Sequence, residues 1–285
     1  MQSYLQDEVW MIPVDYHTHH NRCGHAQGQI EDYIQQAISL GISEIGIADH
    51  APIYWQDGND PMPNIAMAKD ELSQYVEEVL ALKARYAERI TVRLGLEVDY
   101  IEGAEAACAA LVAPYPFDYL IGSVHYINGR NVYDVRRWDG VSDALPVYAE
   151  YYRLLAKSAQ SGMFDIIAHS TAVTAYAPKP IPQAIEPLQD AALEAIRAAD
   201  VCIEINTSGY RKMTTDPFPT ARMIAYARDL GIPLTFSSDA HRPAEVGYAS
   251  EKIEDLLGKL GITELARFAA RRREAVALAP RVFHV

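Results

Sequence analysis

This 285-residue sequence has little cysteine, no long apolar run and a deficit of cations, and each shortage excludes something. Its three cysteines, Cys23, Cys108 and Cys202, are too far apart for a disulfide framework, and no CxxC pair offers a thiolate zinc site. No hydrophobic stretch approaches the roughly 20 residues of a membrane-spanning helix, so no membrane partner is expected. The opening MQSYLQDEVWMIPVDYHTHH lacks a basic segment followed by an apolar one. A secretory leader is therefore not expected, and the cytoplasm is the default location. Lys and Arg number 25 against 38 Asp and Glu, a net charge of −13. That balance leaves no basic face for a stable nucleic-acid partner. An anionic small molecule is still admissible, because buried cations or metals reverse the potential inside a cleft. Low-complexity tracts and Pro/Gly/Ser-rich linkers are also missing, so residues 1–285 read as one folded domain.

What is present is an alternation of short β-branched apolar runs with longer amphipathic stretches. The runs are Met11–Asp15, Glu44–Ala48, Ile90–Glu97, Phe117–Ser123, Phe164–Ala168, Val201–Ile205 and Pro233–Ser237. Helical spacing marks Ile30–Leu40, a stretch capped by Asn64 and running through Arg89, then Ile185–Ala199 and Ala221–Leu230. Gly41 and Gly231 offer left-handed stops. The triplet Arg271–Arg273 reads as the exposed face of a last helix. Strands that alternate with helices and carry continuous apolar runs predict an α/β fold with a parallel sheet covered on both faces. Tyr54–Asn64 (YWQDGNDPMPN) is the longest turn-rich connection, either a substrate lid anchored by Tyr54 and Trp55 or a surface loop.

Polar residues collect at the C-terminal end of each expected strand. DYHTHHNRCGHAQG supplies His17, His19, His20 and His25; ADH supplies Asp49 and His50; GLEVDY supplies Glu97 and Asp99. GSVHY and AHS supply His125 and His169, and SSDAH supplies Asp239 and His241. Eight of the nine histidines sit this way, which scattered core histidines would not do. Parallel α/β folds build their sites at those ends, from several strands at once. Residues two apart on a strand share a side, so His17 and His19 form one pair, Asp239 and His241 another, and His20 points away. Asp15 and Asp49 are either acceptors that orient imidazoles or structural groups. Imidazole and carboxylate suit divalent zinc, iron or manganese. Nine candidate ligands (His17, His19, His25, His50, Glu97, His125, His169, Asp239 and His241) exceed one site and fit two or three ions. A carboxylate shared between ions suits Glu97, with Asp99 equivalent by spacing.

In this order, these motifs resemble the polymerase-and-histidinol-phosphatase (PHP) superfamily, from Asp15 to His241. The HAQG, NTSGYRK and SDAHRPAEVG segments resemble its histidinol-phosphate phosphatase branch. The resemblance implies a distorted (β/α)7 barrel, TIM-like, holding three divalent metal ions. It implies one ion on His17, His19, Glu97 and Asp239, a second on Glu97, His125 and His169, and a third on His25, His50 and His241. The family continues past the fifth-strand histidine with an acidic and then basic residues bordering the substrate, where this chain reads HSTAVTAYAPKP.

The expected activity is hydrolysis of a small phosphorylated metabolite, with L-histidinol phosphate as the leading substrate and a hydroxide held between ions as nucleophile. Glu97, Asp239 and His241 are the expected catalytic residues; the acid that protonates the leaving oxygen stays open between Asp239, His241 and a metal-bound water. Arg211, Lys212 and Arg242, just past the sixth and seventh strands, are the expected phosphate-binding cations. Alternatives are a phosphodiesterase or nucleotide phosphoesterase, an amidohydrolase and a non-catalytic binding domain. Against the amidohydrolase, His125 stands where a carbamylated lysine would bridge metals.

Overall fold

The computed structural model of the chain describes residues 10–212 and 214–280. Its first half runs β1 (Trp10–Met11), β2 (Val14–Asp15), α1 (Ile30–Ser39), β3 (Glu44–Ile47), α2 (Leu72–Arg85), β4 (Thr91–Leu94), β5 (Glu97–Asp99) and α3 (Glu105–Val112). There follow β6 (Ile121–Ser123), a small hairpin of β7 (Tyr126–Ile127) and β8 (Arg130–Asn131), α4 (Leu145–Gln160), β9 (Ile166–Ile167) and α5 (Pro182–Ala198). The chain closes with β10 (Cys202–Asn206), α6 (Ala221–Asp229), β11 (Leu234–Ser237), α7 (Ser250–Leu260), the hairpin β12 (Glu264–Ala269) and β13 (Arg272–Ala277), and β14 (Ala279–Pro280).

Two parallel sheets, ordered β2-β3-β4 and β11-β10-β9-β6-β5, carry the expected strands. Backbone contacts join them along both edges. The Tyr16 N–H donates to Phe236 O at 3.1 Å, and Thr18 bridges Ala240. On the other side His50 bridges Glu97, whose N–H donates to Asp49 O at 3.1 Å. Because β4 and β5 are halves of one run broken at Gly95 and Leu96, the strands form a seven-membered ring. This is the distorted α/β barrel expected. The break has a packing cause: a Cβ at Gly95 or Gly46 would lie 2.3 Å or less from the Tyr119 phenol. Only glycine lets that ring enter between the strands.

Helix α1 starts where the Gln29 N–H donates to Asp32 at 2.7 Å, and it buries Ile30, Tyr33, Ile34 and Ala37 at helical spacing. Thr220 caps α6 by accepting from the Met223 N–H. Gly41 and Gly231 after α1 and α6 adopt the left-handed conformation expected of them.

Two local expectations fail. Asn64 does not cap a helix: it has a φ of 66°, and α2 begins only at Leu72. The intervening residues are spent tying the preceding loop, with the Lys69 ammonium donating to Gln56 O at 2.6 Å. Arg271–Arg273 is not a helical face either. It lies at the turn of the β12–β13 hairpin, which inserts Phe268 against Tyr16 and Tyr119 at the barrel floor. The Arg271 side chain reaches Met163 O and Asp165, and Arg273 reaches Asp200. The run is exposed as expected, but on a hairpin, and Arg271 and Arg273 also tie that hairpin to the N-terminal ends of two strands. Among the described residues no helix is long and apolar enough to cross a membrane.

Candidate metal centre

The barrel brings all nine expected donors to one end, around Glu97. This carboxylate is buried and divides its oxygens. Oε1 lies 3.1 Å from His169 Nε2 and 3.5 Å from His125 Nε2, and those two nitrogens are 3.1 Å apart. Oε2 lies 3.3 Å from His17 Nε2, 3.6 Å from His19 Nε2 and 2.8 Å from His50 Nδ1. Asp239 Oδ1 completes the second group, 3.3 Å from His19 Nε2 and 4.0 Å from His17 Nε2. His25 and His241 face each other with Nε2 atoms 3.2 Å apart, and His241 stacks on His19 at 4.2 Å between ring centroids. Parity on the first strand holds: His20 turns away to stack on Tyr75, its Nε2 3.3 Å from Asp49.

In five of the imidazoles Nδ1 is tied to an acceptor, which orients Nε2 inward. His17 Nδ1 sits 3.0 Å from Glu204, His19 Nδ1 3.1 Å from Asp49 and His125 Nδ1 2.9 Å from Asp99. His25 and His241 hold backbone carbonyls through Nδ1. An acceptor on one nitrogen places the proton there and leaves the other lone pair free to ligate. The carboxylates are steered as well. Ser123 donates to Glu97 Oε1 at 2.6 Å, while Ser208 and Asn206 donate to Asp239 Oδ2. His17 Nε2, His19 Nε2 and Glu97 Oε2 are buried without a hydrogen-bond partner. Orphaned atoms in a set of imidazoles and carboxylates are what divalent cations satisfy, so these residues fit a metal centre.

Electrostatics divides the histidines. Burial opposes charge on His19, but Asp239 and Asp49 outweigh it and raise its pKa to about 9. His125 is likewise raised to about 9 against burial, by Asp99 and Glu97. Burial lowers His25 to about 4 and holds His241 well below its ordinary value. Glu97 and Asp239 stay far below the usual carboxylate range despite burial, because imidazoles surround them. Protons are thus favoured on His19 and His125, beside the two carboxylates, and disfavoured on His25 and His241.

A cavity of about 470 Å³ opens onto this centre, walled by Glu97, His125, His169, Asp239 and the three expected cations Arg211, Lys212 and Arg242. Arg211 donates from Nη2 to Ser238 O and Asp239 O, while its Nη1 is buried without a partner. Lys212 lies over the Tyr133 ring at 5.0 Å, and Arg242 is exposed at the rim. The Tyr54–Asn64 loop is anchored: Tyr54 donates to Asp99 O at 2.6 Å, and Trp55 packs edge-on against Tyr126. The next two residues, Ile65 and Ala66, reach the cavity. The altered segment after His169 does not: Ser170 and Thr171 are fully buried, and neither they nor Thr174 line the cavity.

Sequence reasoning missed Glu204, which orients His17 and also accepts from the His169 N–H at 2.8 Å. Its signal was one acid inside the apolar run VCIEIN, in phase with Asn206. Asp49 does orient a histidine, as one of its two readings held. Asp15 accepts instead from the Ser238 and Gly247 N–H groups, a structural role.

A model of the PHP domain matches residues 15–208, and a PHP-associated model matches residues 220–257. The histidinol-phosphatase of Bacillus subtilis is 31% identical over 259 residues, covering 83% of this chain and 96% of that protein. The histidinol-phosphatase of Saccharomyces cerevisiae is 24% identical over 291 residues, covering 84% of this chain and 87% of that one. The fold is shared with a crystal structure of histidinol phosphate phosphatase from Lactococcus lactis, complexed with zinc, L-histidinol and phosphate. That match has a TM-score of 0.78 at 22% identity and covers 92% of this chain and 98% of the other.

Proposed function

The chain belongs to the PHP domain family, and on that premise we propose that it is a metal-dependent phosphomonoesterase that hydrolyses L-histidinol phosphate to L-histidinol and phosphate. The reading rests on Glu97, whose two oxygens face two different sets of imidazoles. A carboxylate so placed suits ions held side by side. We assign one to His17, His19, Glu97 and Asp239, a second to Glu97, His125 and His169, and a third to His25, His50 and His241, with zinc, manganese or iron compatible with the donors. When bound, such ions supply a nucleophile at neutral pH by lowering the pKa of water, and they neutralise phosphoryl charge.

The remaining work falls to the protein's own groups. Glu204, Asp49 and Asp99 hold protons on the outward imidazole nitrogens, so the ligand lone pairs stay directed inward. Arg211 is braced by two carbonyls and keeps Nη1 for a phosphate oxygen. Lys212 and Arg242 add positive charge at the wall and rim. Phosphoryl transfer depends mainly on positioning and charge stabilisation, which this lining supplies. A cavity of about 470 Å³ lies in the range of small-molecule sites and suits a metabolite.

Phosphate release with Mn²⁺ or Zn²⁺ supplied tests the reading, comparing L-histidinol phosphate with other phosphomonoesters and a phosphodiester. We expect a kcat/KM of about 10⁴ M⁻¹s⁻¹ or more for histidinol phosphate. Faster turnover of another monoester would replace the substrate and keep the chemistry. No turnover of any ester by protein shown to carry metal would end the phosphatase reading.

A further inference from the structure

The cavity wall carries three hydroxyl-bearing residues: Tyr126, Tyr133 and Ser208. Two are engaged. Tyr126 contacts Met62 Sδ at 3.5 Å, and Ser208 donates to Asp239. The Tyr133 hydroxyl is buried and has no hydrogen-bond partner among the described residues. A hydroxyl stripped of water and left unpaired costs stability, so its retention at a site asks for a ligand.

Its placement is not accidental to the backbone. After His125 the chain makes the β7–β8 hairpin, and the Val132 N–H returns to His125 O at 2.7 Å. Asn131 accepts from the Tyr133 N–H at 2.8 Å, and Arg137, itself buried, donates to Arg130 O at 2.7 Å, bracing the hairpin from behind. The phenol is thereby held beside the imidazoles that flank Glu97 Oε1, with ring centroids 5.7 Å from His125 and 6.1 Å from His169. Lys212 lies over the ring face. An ammonium there draws electron density from the ring and makes the O–H a stronger donor.

We propose that Tyr133 is a further catalytic residue, whose hydroxyl donates a hydrogen bond to a phosphoryl oxygen of the substrate on the His125–His169 side of the centre. The inference rests on the phosphomonoesterase reading above. A phosphoryl oxygen offers only acceptor sites, so the partner it can find in the unpaired phenol is the O–H as donor. A donor preorganised in a water-poor site is worth more to a dianionic group gaining charge in the transition state than it would be in water.

The test is Tyr133→Phe in the metal-loaded protein, with kcat, KM, metal content, melting temperature and the affinity for inorganic phosphate measured beside wild type. We expect kcat to fall about 10- to 100-fold and phosphate to bind more weakly. Metal content should be unchanged, and the melting temperature unchanged or higher, because an unsatisfied buried hydroxyl has been removed. Wild-type kinetics and phosphate affinity in the variant would overturn the proposal. So would a loss of activity that tracks a lower melting temperature or lost metal, since the hydroxyl would then be structural. A wild-type enzyme inactive on every phosphomonoester would instead remove the underlying reading, and this inference with it.

Discussion

The two ends of this barrel are made from the same strands and obey opposite rules. At the floor, Tyr16 packs edge to face against both Tyr119 and Phe268, and each buried polar atom named there has a partner. The Tyr119 hydroxyl donates to Tyr16 O at 2.6 Å, and Asp118 takes the Lys83 ammonium and two backbone N–H groups. At the top, imidazoles and carboxylates crowd within hydrogen-bonding range, and several inward atoms have no partner at all. The floor is finished without a ligand and the top is not. A region that leaves its polar groups unsatisfied trades fold stability for binding, and the region that compensates lies at the other end of the same strands.

The contrast can be broken by variants that separate the two currencies of stability and metal-dependent activity. The largest effect should come from Glu97→Gln, which removes the shared charge. Activity should fall by about 10³-fold or more, with metal lost on elemental analysis. A variant that keeps its metal and its rate would undo the central role given to Glu97. Phe268→Ala tests the other end. It should cost about 3–5 kcal/mol by denaturant unfolding, while the rate per folded, metal-loaded molecule stays the same.

Glu204→Gln sharpens the boundary between the ends, because this strand-interior residue contacts His17 without facing the cavity. Metal affinity should drop about 10- to 100-fold, measured by competition with a chelating dye. Acidity gives a graded effect. His19 and His125 have pKa values near 9 in the metal-free protein, raised from 6.5, so below pH 9 ions must displace protons to bind. Affinity should therefore rise with pH, by up to about tenfold per unit for each proton displaced, and metal addition at pH 7 should acidify a weakly buffered sample. The stability of the metal-free protein runs the other way: these imidazolium contacts contribute fully below pH 6.5 and are lost as pH climbs through about 9. Metal binding without proton release would contradict the charged state of both histidines. The smallest effect should be Arg273→Ala. Its pair with Asp200 is solvent-exposed, and its loss should cost under about 1 kcal/mol, with no change in metal binding.

Much of the top was legible residue by residue. An H-x-H spacing states which two side chains share a face whatever the neighbours are, so His17 with His19 and Asp239 with His241 could be paired before any fold was known. His20 could be set aside by the same parity. Legibility ended where spacing was degenerate. Glu97 and Asp99 share a face, and only their depth in the ring separates a carboxylate amid five imidazoles from one tied to His125. The floor was less legible still. Arg271–Arg273 has a surface composition, and nothing local says that its hairpin returns across the barrel to Asp165 and Asp200.

The sequence by itself determined which residue types end each strand, which face each one takes and, through them, that this end of the fold binds cations. Those properties follow from backbone periodicity, which is local. Tertiary structure alone decided which imidazoles share an oxygen of Glu97, that Glu204 stands behind His17, that the last hairpin seals the floor and that Tyr133 faces the centre unpaired. Each of these depends on strand neighbours far apart in the chain, and long-range pairing is set by how the whole ring closes rather than by any segment within it.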